Sequence, residues 1–385
     1  PVKSNSCNWL VNGGKTNTAD IPSLVSTLLT WERVRSFNVG FDFGAFSNRL
    51  TGSFDYFVRK TVDMVGPAPQ LPLVLGIAPA IVNNADMKSY GFEIELSWRD
   101  RIGEVDYGVK FNLADAQQKV VKYPNTTNAF NDWYAGKMSG EIWGYTSLGI
   151  AKTDEEMKEH LASLPNGGQN QLGNKWGAGD IMYADINGDG KVDGGKGTLA
   201  DPGDQRIIGN STPRYNFGLV LDASYKGFDV SIFFQGVGKR DYAPIVGTNG
   251  AVFWGAVNNI WQSMAMEEHF DYFRPEGHPM GANLNGYYPR PDFTSNKNHQ
   301  VQTRYLQDAS YIRLKNLQIG YTLPKQWINK LHINRCRVYV SGDNLWTGTS
   351  LASMFDPETL AAGDWGSGKT YPLSKVISFG LNVNF

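Results

Sequence analysis

The chain has 385 residues, enough for two soluble domains or one large barrel, with 19% charged residues, 13% aromatics, 43 glycines and a net charge of −1. That balance points away from nucleic acid, and two cysteines, Cys7 and Cys336, make neither a disulfide framework nor a metal cluster. No apolar run reaches the roughly 20 residues of a membrane helix; Leu71 to Val82 is broken by Pro72 and Pro79, which excludes a helical membrane protein but not a barrel, whose strands are apolar only at alternate positions.

In chain order, residues 1–33 are polar, show no sustained period and read as a loop, and nothing at Pro1-Val2-Lys3-Ser4 has signal-peptide character. A strand begins at Val34, with Phe37, Val39, Phe41 and Phe43 alternating with Asn38, Gly40, Asp42 and Gly44; Ser47-Asn48 turns it, and Leu50 to Val58 returns. After a proline-rich connection, Phe92, Ile94, Leu96 and Trp98 form one apolar face, followed across a turn near Gly103 by Val105, Tyr107, Val109, Phe111 and Leu113. A long connection, 117–212, holds one helix, announced by Thr153 and Glu156 as a capping box and ended by Pro165-Asn166-Gly167-Gly168. The hairpin Arg214 to Gln235 turns at Lys226-Gly227, with Phe217, Leu219, Leu221, Phe228, Val230, Ile232 and Phe234 on its apolar side. After another long connection come Tyr311 to Leu323, whose alternation slips near Asn316 as at a bulge, then Arg335 to Asn344 and finally Ile377 to Phe385.

Nine strands emerge, and their connections alternate between short (46–49, 99–104, 226–227, 324–334) and long (61–87, 117–212, 236–302, 346–370). Outer-membrane barrels sort their loops this way, with short periplasmic turns and long extracellular loops. The expected fold is therefore all-β: an antiparallel transmembrane β-barrel over 34–385, preceded by an extracellular loop over 1–33.

An ordered set of motifs runs through the chain: Trp31-Glu32-Arg33-Val34-Arg35-Ser36-Phe37-Asn38-Val39-Gly40-Phe41-Asp42, Tyr90-Gly91-Phe92-Glu93, Asp185-Ile186-Asn187-Gly188-Asp189-Gly190, Ile208-Gly209-Asn210-Ser211-Thr212-Pro213-Arg214-Tyr215, Lys226-Gly227-Phe228-Asp229, Phe233-Phe234-Gln235-Gly236 and Tyr311-Ile312-Arg313-Leu314-Lys315-Asn316. This set resembles the C-terminal half of SusC/RagA-type TonB-dependent outer-membrane transporters. The resemblance implies that the nine strands are the last of about 22, and that the plug and TonB box belong to an N-terminal part not contained in the chain. It further implies import of oligosaccharides or peptides at the cell outer membrane, with a SusD-like surface lipoprotein as lid and TonB as energy source. The competing expectation is a secreted or surface calcium-dependent carbohydrate-binding or adhesin β-domain.

Several patterns bear on chemistry. Gly363-Asp364-Trp365-Gly366-Ser367-Gly368-Lys369-Thr370 formally matches a P-loop, but Pro372 and a following strand forbid the helix that would hold phosphate. His160, His269, His278, His299 and His332 lack metal-ligand spacing and are expected in loops or turns, and no nucleophile signature is present, so the chain is not read as an enzyme. Loop aromatics Trp133, Tyr134, Trp143, Tyr145, Phe253, Trp254 and Trp261 are candidates for stacking on substrate, or equally for pinning loops together. Asp185, Asn187, Asp189, the Lys191 carbonyl and Asp193 stand where a calcium loop places its oxygens, but position twelve is Lys196; by the resemblance, Asp204 is the displaced last ligand, with Asp201 second. The alternative is a metal-free loop closed by Asx turns.

Overall fold

The computed structural model describes residues 3–20, 24, 26–27, 29–67, 74, 79–244, 251–255, 265–292, 296–329, 332–360 and 370–385. By contact, the chain divides into one unit of Pro1–Phe37, Val58–Tyr90 and Gln118–Met138, and a second of Asn38–Phe57, Gly91–Gln117 and Ser139–Phe385.

The nine predicted strands are all present as one nine-stranded sheet: β1 Arg33–Ala45, β2 Leu50–Gly66, β3 Val82–Ile102, β4 Val105–Lys122, β5 Arg214–Tyr225, β6 Phe228–Lys239, β7 Tyr311–Thr322, β8 Arg335–Thr349 and β9 Val376–Asn384. Each lies beside its sequence neighbour, from β9 at one edge to β1 at the other. The turn chemistry explains the meander. Lys226 and Gly227 have φ of 47° and 90° between paired Tyr225 and Phe228, the left-handed pair that a two-residue hairpin needs. The bulge near Asn316 is also present: Phe233 pairs with Asn316 and Phe234 with Leu314, leaving Lys315 unopposed on β7.

Register aligns the alternating residues into continuous rows. Val109, Leu221, Ile232, Leu317, Gly342 and Ile377 lie side by side across β4 to β9, as do Tyr107, Ala223, Val230, Ile319, Val340 and Phe379. Toward β9 the rows are exposed, with Ile319 at 52%, Val340 at 42%, Ile377 at 66% and Phe379 at 82%, while Val109, Leu221, Ile232 and Leu317 are half-buried. The opposite face carries Asp222, Ser231, Gln318, Ser341 and Ser378 in one row, and there Arg337 binds the carboxylate of Asp229 and the Gln318 amide. An exposed apolar face backed by a hydrogen-bonding face is the opposite of a water-soluble sheet, which buries its apolar side. It fits a sheet whose outer solvent is lipid.

Three expectations about the strands and loops need correction. Strands β2, β3 and β4 run well beyond the apolar alternation, to Gly66, from Val82 and to Lys122, so the first two long connections narrow to 67–81 and 123–213. A ladder of backbone hydrogen bonds needs no apolar period where both faces meet water, and polar anchors such as the Asp115–Arg214 ion pair take over there. Second, the loop expected over 1–33 contains an antiparallel hairpin, Lys3–Val11 with Gly14–Asp20. Its signal was Asn12-Gly13, with φ of 52° and 76°, a strong short-range hairpin dipeptide between strands too polar to show a period. Third, His160 lies in the helix Asp154–Ala162 rather than in a loop.

Candidate functional site

The second unit's long connections fold into a layer with its own core. Tyr145, Ile181, Tyr183, Phe253, Trp254, Tyr288, Tyr305 and Phe355 form a buried, largely aromatic cluster drawn from three connections. Phe253 stacks on Phe355 with ring planes 7° apart, and Trp254 meets Tyr305 edge-on at 4.8 Å. Single apolar residues on these loops show no usable period, yet their aromatic density supplies the area that packing needs. The expected helix stands in this layer, with Thr153 Oγ1 accepting the Glu156 N–H at 3.1 Å and the Glu156 carboxylate accepting the Lys152 N–H at 2.6 Å.

Charged groups inside the layer are paired. Asp180 is fully buried and accepts from Lys297 Nζ at 2.8 Å, Arg290 Nη2 at 2.9 Å, Asn298 Nδ2 at 2.9 Å and the Gly177 N–H at 2.9 Å. Lys297 is itself 1% exposed, and its ammonium lies 5.1 Å from the Trp176 ring centre. Arg313, buried on β7, clamps the connection after β8 through Asp356 and Glu358, each at 2.7 Å. Burial pushes the Asp356 carboxyl up, but the Arg313 guanidinium and two backbone N–H groups outweigh it and hold it below the usual carboxylate value.

The loop Asp185 to Asp204 is closed by its own side chains. Asp185 accepts the N–H of Gly188 at 2.6 Å and of Gly190 at 2.8 Å; Asn187 accepts from Asp189 at 3.0 Å, and Asp189 from Lys191 at 3.2 Å. The Lys191 ammonium lies 2.5 Å from Asp193 and 3.8 Å from Asp189, and its hydrogen bond holds the Asp193 carboxyl below its ordinary value. Asp204, expected as the last ligand, is fully buried and turned to the backbone: it accepts from Ile186 at 2.7 Å, Asn187 at 3.3 Å and Asp193 at 2.8 Å. The Asp201 carbonyl receives the Lys196 and Thr198 N–H groups. Among the described residues no three acidic, histidine or cysteine side chains converge as a metal cluster. The loop's side-chain oxygens are engaged in Asx turns, and the Lys191 ammonium stands beside Asp189 and Asp193.

The aromatic candidates separate. Tyr145 is 4% exposed, accepts a hydrogen bond from Gln205 at 3.0 Å and meets Tyr183 edge-on, so it pins loops. Trp143 sits on a short strand, Glu141–Gly144, paired with Arg206–Asn210. Trp133 is 40% exposed, and the Lys137 ammonium lies over both it and Tyr134, in the first unit. Trp254 is 3% exposed yet lines a cleft of about 310 Å³ together with Met266, His269, Phe270, Tyr272, Tyr288 and His299. Trp261 and the P-loop match over 363–369 lie outside the described residues. The cleft residues beyond Trp254 carry no spacing signal, because only packing brings residues 265–272, 288–291 and His299 together.

A two-faced antiparallel meander with short turns on one side and long, folded connections on the other has the build of an outer-membrane β-barrel protein. Residues 8–345 match the family described as TonB dependent receptor-like, beta-barrel, and the chain belongs to it. It is 28% identical, over a 414-residue alignment covering 100% of the chain and 37% of the relative, to TonB-dependent receptor P3 of Formosa agariphila. TonB-dependent receptor SusC of Bacteroides thetaiotaomicron is 20% identical over 380 residues, covering 94% of the chain and 33% of that protein. Among solved structures, the RagAB peptide transporter matches with a TM-score of 0.70 at 23% identity, covering 100% of this chain and 38% of that one, a likeness of fold. The chain spans roughly a third of the length of these relatives, matches a β-barrel family model, and its relatives are receptors rather than enzymes.

Proposed function

We propose that the chain is part of a TonB-dependent barrel in the cell outer membrane that imports oligosaccharides or peptides, working with a SusD-like surface lipoprotein. The observation that carries this reading is the pair of faces on the sheet: continuous rows of apolar side chains across β4 to β9, exposed at Ile319, Val340, Ile377 and Phe379, backed by rows of serine, glutamine and paired charge. One face suits lipid, and the other suits a hydrated or plugged lumen. The layer of packed long connections supports it further, since a preorganised outer surface is what a lipoprotein lid would rest on. The test is fractionation of the native protein followed by uptake of labelled oligosaccharides and peptides with and without TonB. Recovery in the outer membrane and TonB-dependent uptake are expected. A protein recovered soluble without detergent would favour the adhesin reading instead.

For the loop Asp185 to Asp204, calcium is the proposed exchangeable occupant. Asp185, Asn187, Asp189, the Lys191 carbonyl and Asp193 offer oxygens at alternate positions. A cation would take over the neutralising place that the Lys191 ammonium holds between Asp189 and Asp193. Calorimetric titration of the native protein is the check; an absence of saturable heat with calcium, in Lys191→Ala as in the native protein, would remove the metal.

A further inference from the structure

Beyond their apolar stretches, β1, β2 and β3 share a patch of cations within the first unit. Side chains two residues apart share a side of a strand, so Arg33 and Arg35 of β1 stand on the side of Phe37, Val39 and Phe41, which are 61%, 54% and 59% exposed. On β2, Lys60 follows Tyr56 and Val58 on one side. On β3, the Lys88 ammonium lies 5.2 Å from the ring centre of Tyr90. Polar contacts tie the three strands together here. Arg33 Nε donates to Asp63 Oδ2 at 3.0 Å, the Asp63 N–H donates to Asp86 Oδ1 at 3.0 Å, and the Lys60 ammonium lies 3.9 Å from Asp86 Oδ2. Asp63, with φ of 60°, breaks the alternation of β2.

Four cations share the patch with two carboxylates, which leaves a net charge of +2. Arg33 and Lys60 are the paired ones. Arg35, exposed, and Lys88, half-buried, form no ion pair among the described residues. Position selects the anion that meets them. An acidic protein resting on the rim would meet the loop tips, whereas these cations stand on the strands themselves, one alternate position beyond Phe37 and Tyr90. That is the level at which a barrel's apolar band gives way to lipid headgroups. Long basic stems lie along apolar surface and carry their charge toward that layer. Phosphate is the anion that membrane lipids hold there, and a guanidinium fork and an ammonium both bind it. The connection over 67–81 leaves from this end, and barrels aim their long connections outward, which assigns the patch to the outer leaflet. Since β2 separates β1 from β3, Arg35 and Lys88 lie on strands about 10 Å apart, within the span of one lipid headgroup.

We propose that Arg35 and Lys88, with Arg33 and Lys60 beside them, bind the phosphate groups of a glycolipid in the outer leaflet. The proposal rests on the outer-membrane part of the uptake reading and on nothing about the imported solute.

The test is native mass spectrometry of the full-length protein in nonionic detergent, titrated with bisphosphorylated lipid A and with the same lipid stripped of its phosphates. The phosphorylated form is expected to bind about 25-fold more tightly, about fivefold for each of the two unpaired cations. Arg35→Ser combined with Lys88→Ser should erase that preference. Arg35→Lys combined with Lys88→Arg should keep it, as should Arg59→Ser, which removes a cation from the other side of β2. Equal affinities in the native protein would overturn the site and return the cations to an acidic protein partner. A preference that survives the double serine change, or that is lost in Arg59→Ser, would overturn it as well. So would full competition by inorganic phosphate, which would mark an anion site with no need of a lipid. The titration needs neither TonB nor uptake. A protein that imports solutes without this preference loses only the lipid site, one that shows the preference but imports nothing loses only the import, and one that is soluble without detergent loses the membrane that both require.

Discussion

Asp180→Asn is the most informative single change in the loop layer. The carboxylate is fully buried, and its Oδ2 faces the Lys297 ammonium, Arg290 and the Gly177 N–H, all within 2.9 Å. Removing its charge leaves Lys297, 1% exposed, with Asp292 at 3.8 Å as the other acidic group recorded near it. Breaking a buried pair from one side typically costs about 3–5 kcal/mol, and Asp292 offsets part of that, so about 3 kcal/mol is expected. Such a loss raises the open population of the layer by roughly two orders of magnitude. Hydrogen exchange reads it directly: the Ile181 and Tyr183 amides, which donate to Asn298 Oδ1 and Gln169 Oε1, should exchange faster by that factor, while amides of β5 and β6 stay unchanged. Asp180→Leu combined with Lys297→Met removes both charges and should cost less than the two single changes added together. A change of under about 1 kcal/mol for Asp180→Asn, or a double variant worse than the sum, would refute the reasoning.

Asp204→Ala strips three backbone N–H groups of their acceptor and should destabilise the 185–204 loop locally by about 3 kcal/mol, with Asp204→Asn costing less; accelerated exchange at Ile186 and Asp193 is the readout. His299 carries a pH dependence. Burial lowers its pKa from the ordinary 6.5 to about 4, so the unfolded chain binds more protons between those values and stability falls as pH drops through that window. The loss approaches about 3 kcal/mol near pH 4. Exchange in the cleft-lining segments at pH 7 and pH 4.5 should show the loosening, and His299→Phe should reduce it.

The strands were legible because lipid and lumen impose a period of two: Phe217, Leu219 and Leu221 on β5 and Phe228 to Phe234 on β6 name their own partners once Lys226-Gly227 sets the register. The same logic failed where no apolar solvent acts. The ends of β2 to β4 pair through the backbone ladder and polar side chains such as Lys60–Asp86 and Arg214–Asp115, which leave no apolar period, and in the Lys3–Asp20 hairpin Asn12-Gly13 marks the turn. In the loops, aromatic identity was visible but not its use. Tyr145 and Trp254 differ in neighbours contributed by distant segments, Gln205 for the one and His299 for the other. For Asp204 the sequence pattern offers a carboxylate, and the structure adds that the backbone N–H groups of Ile186 and Asp193 point at it. A spacing rule cannot encode that.

The central claim is that the two faces of the sheet meet different solvents. Lysine placed at Leu221, Ile232 or Leu317, adjacent members of one apolar row, should be compared with lysine at Ser231 or Gln318 on the opposite face in the full-length protein, by equilibrium folding into lipid bilayers. The account predicts a cost of about 2–4 kcal/mol for the first set and little for the second. Equal costs on both faces, or the larger cost at Ser231 and Gln318, would contradict it.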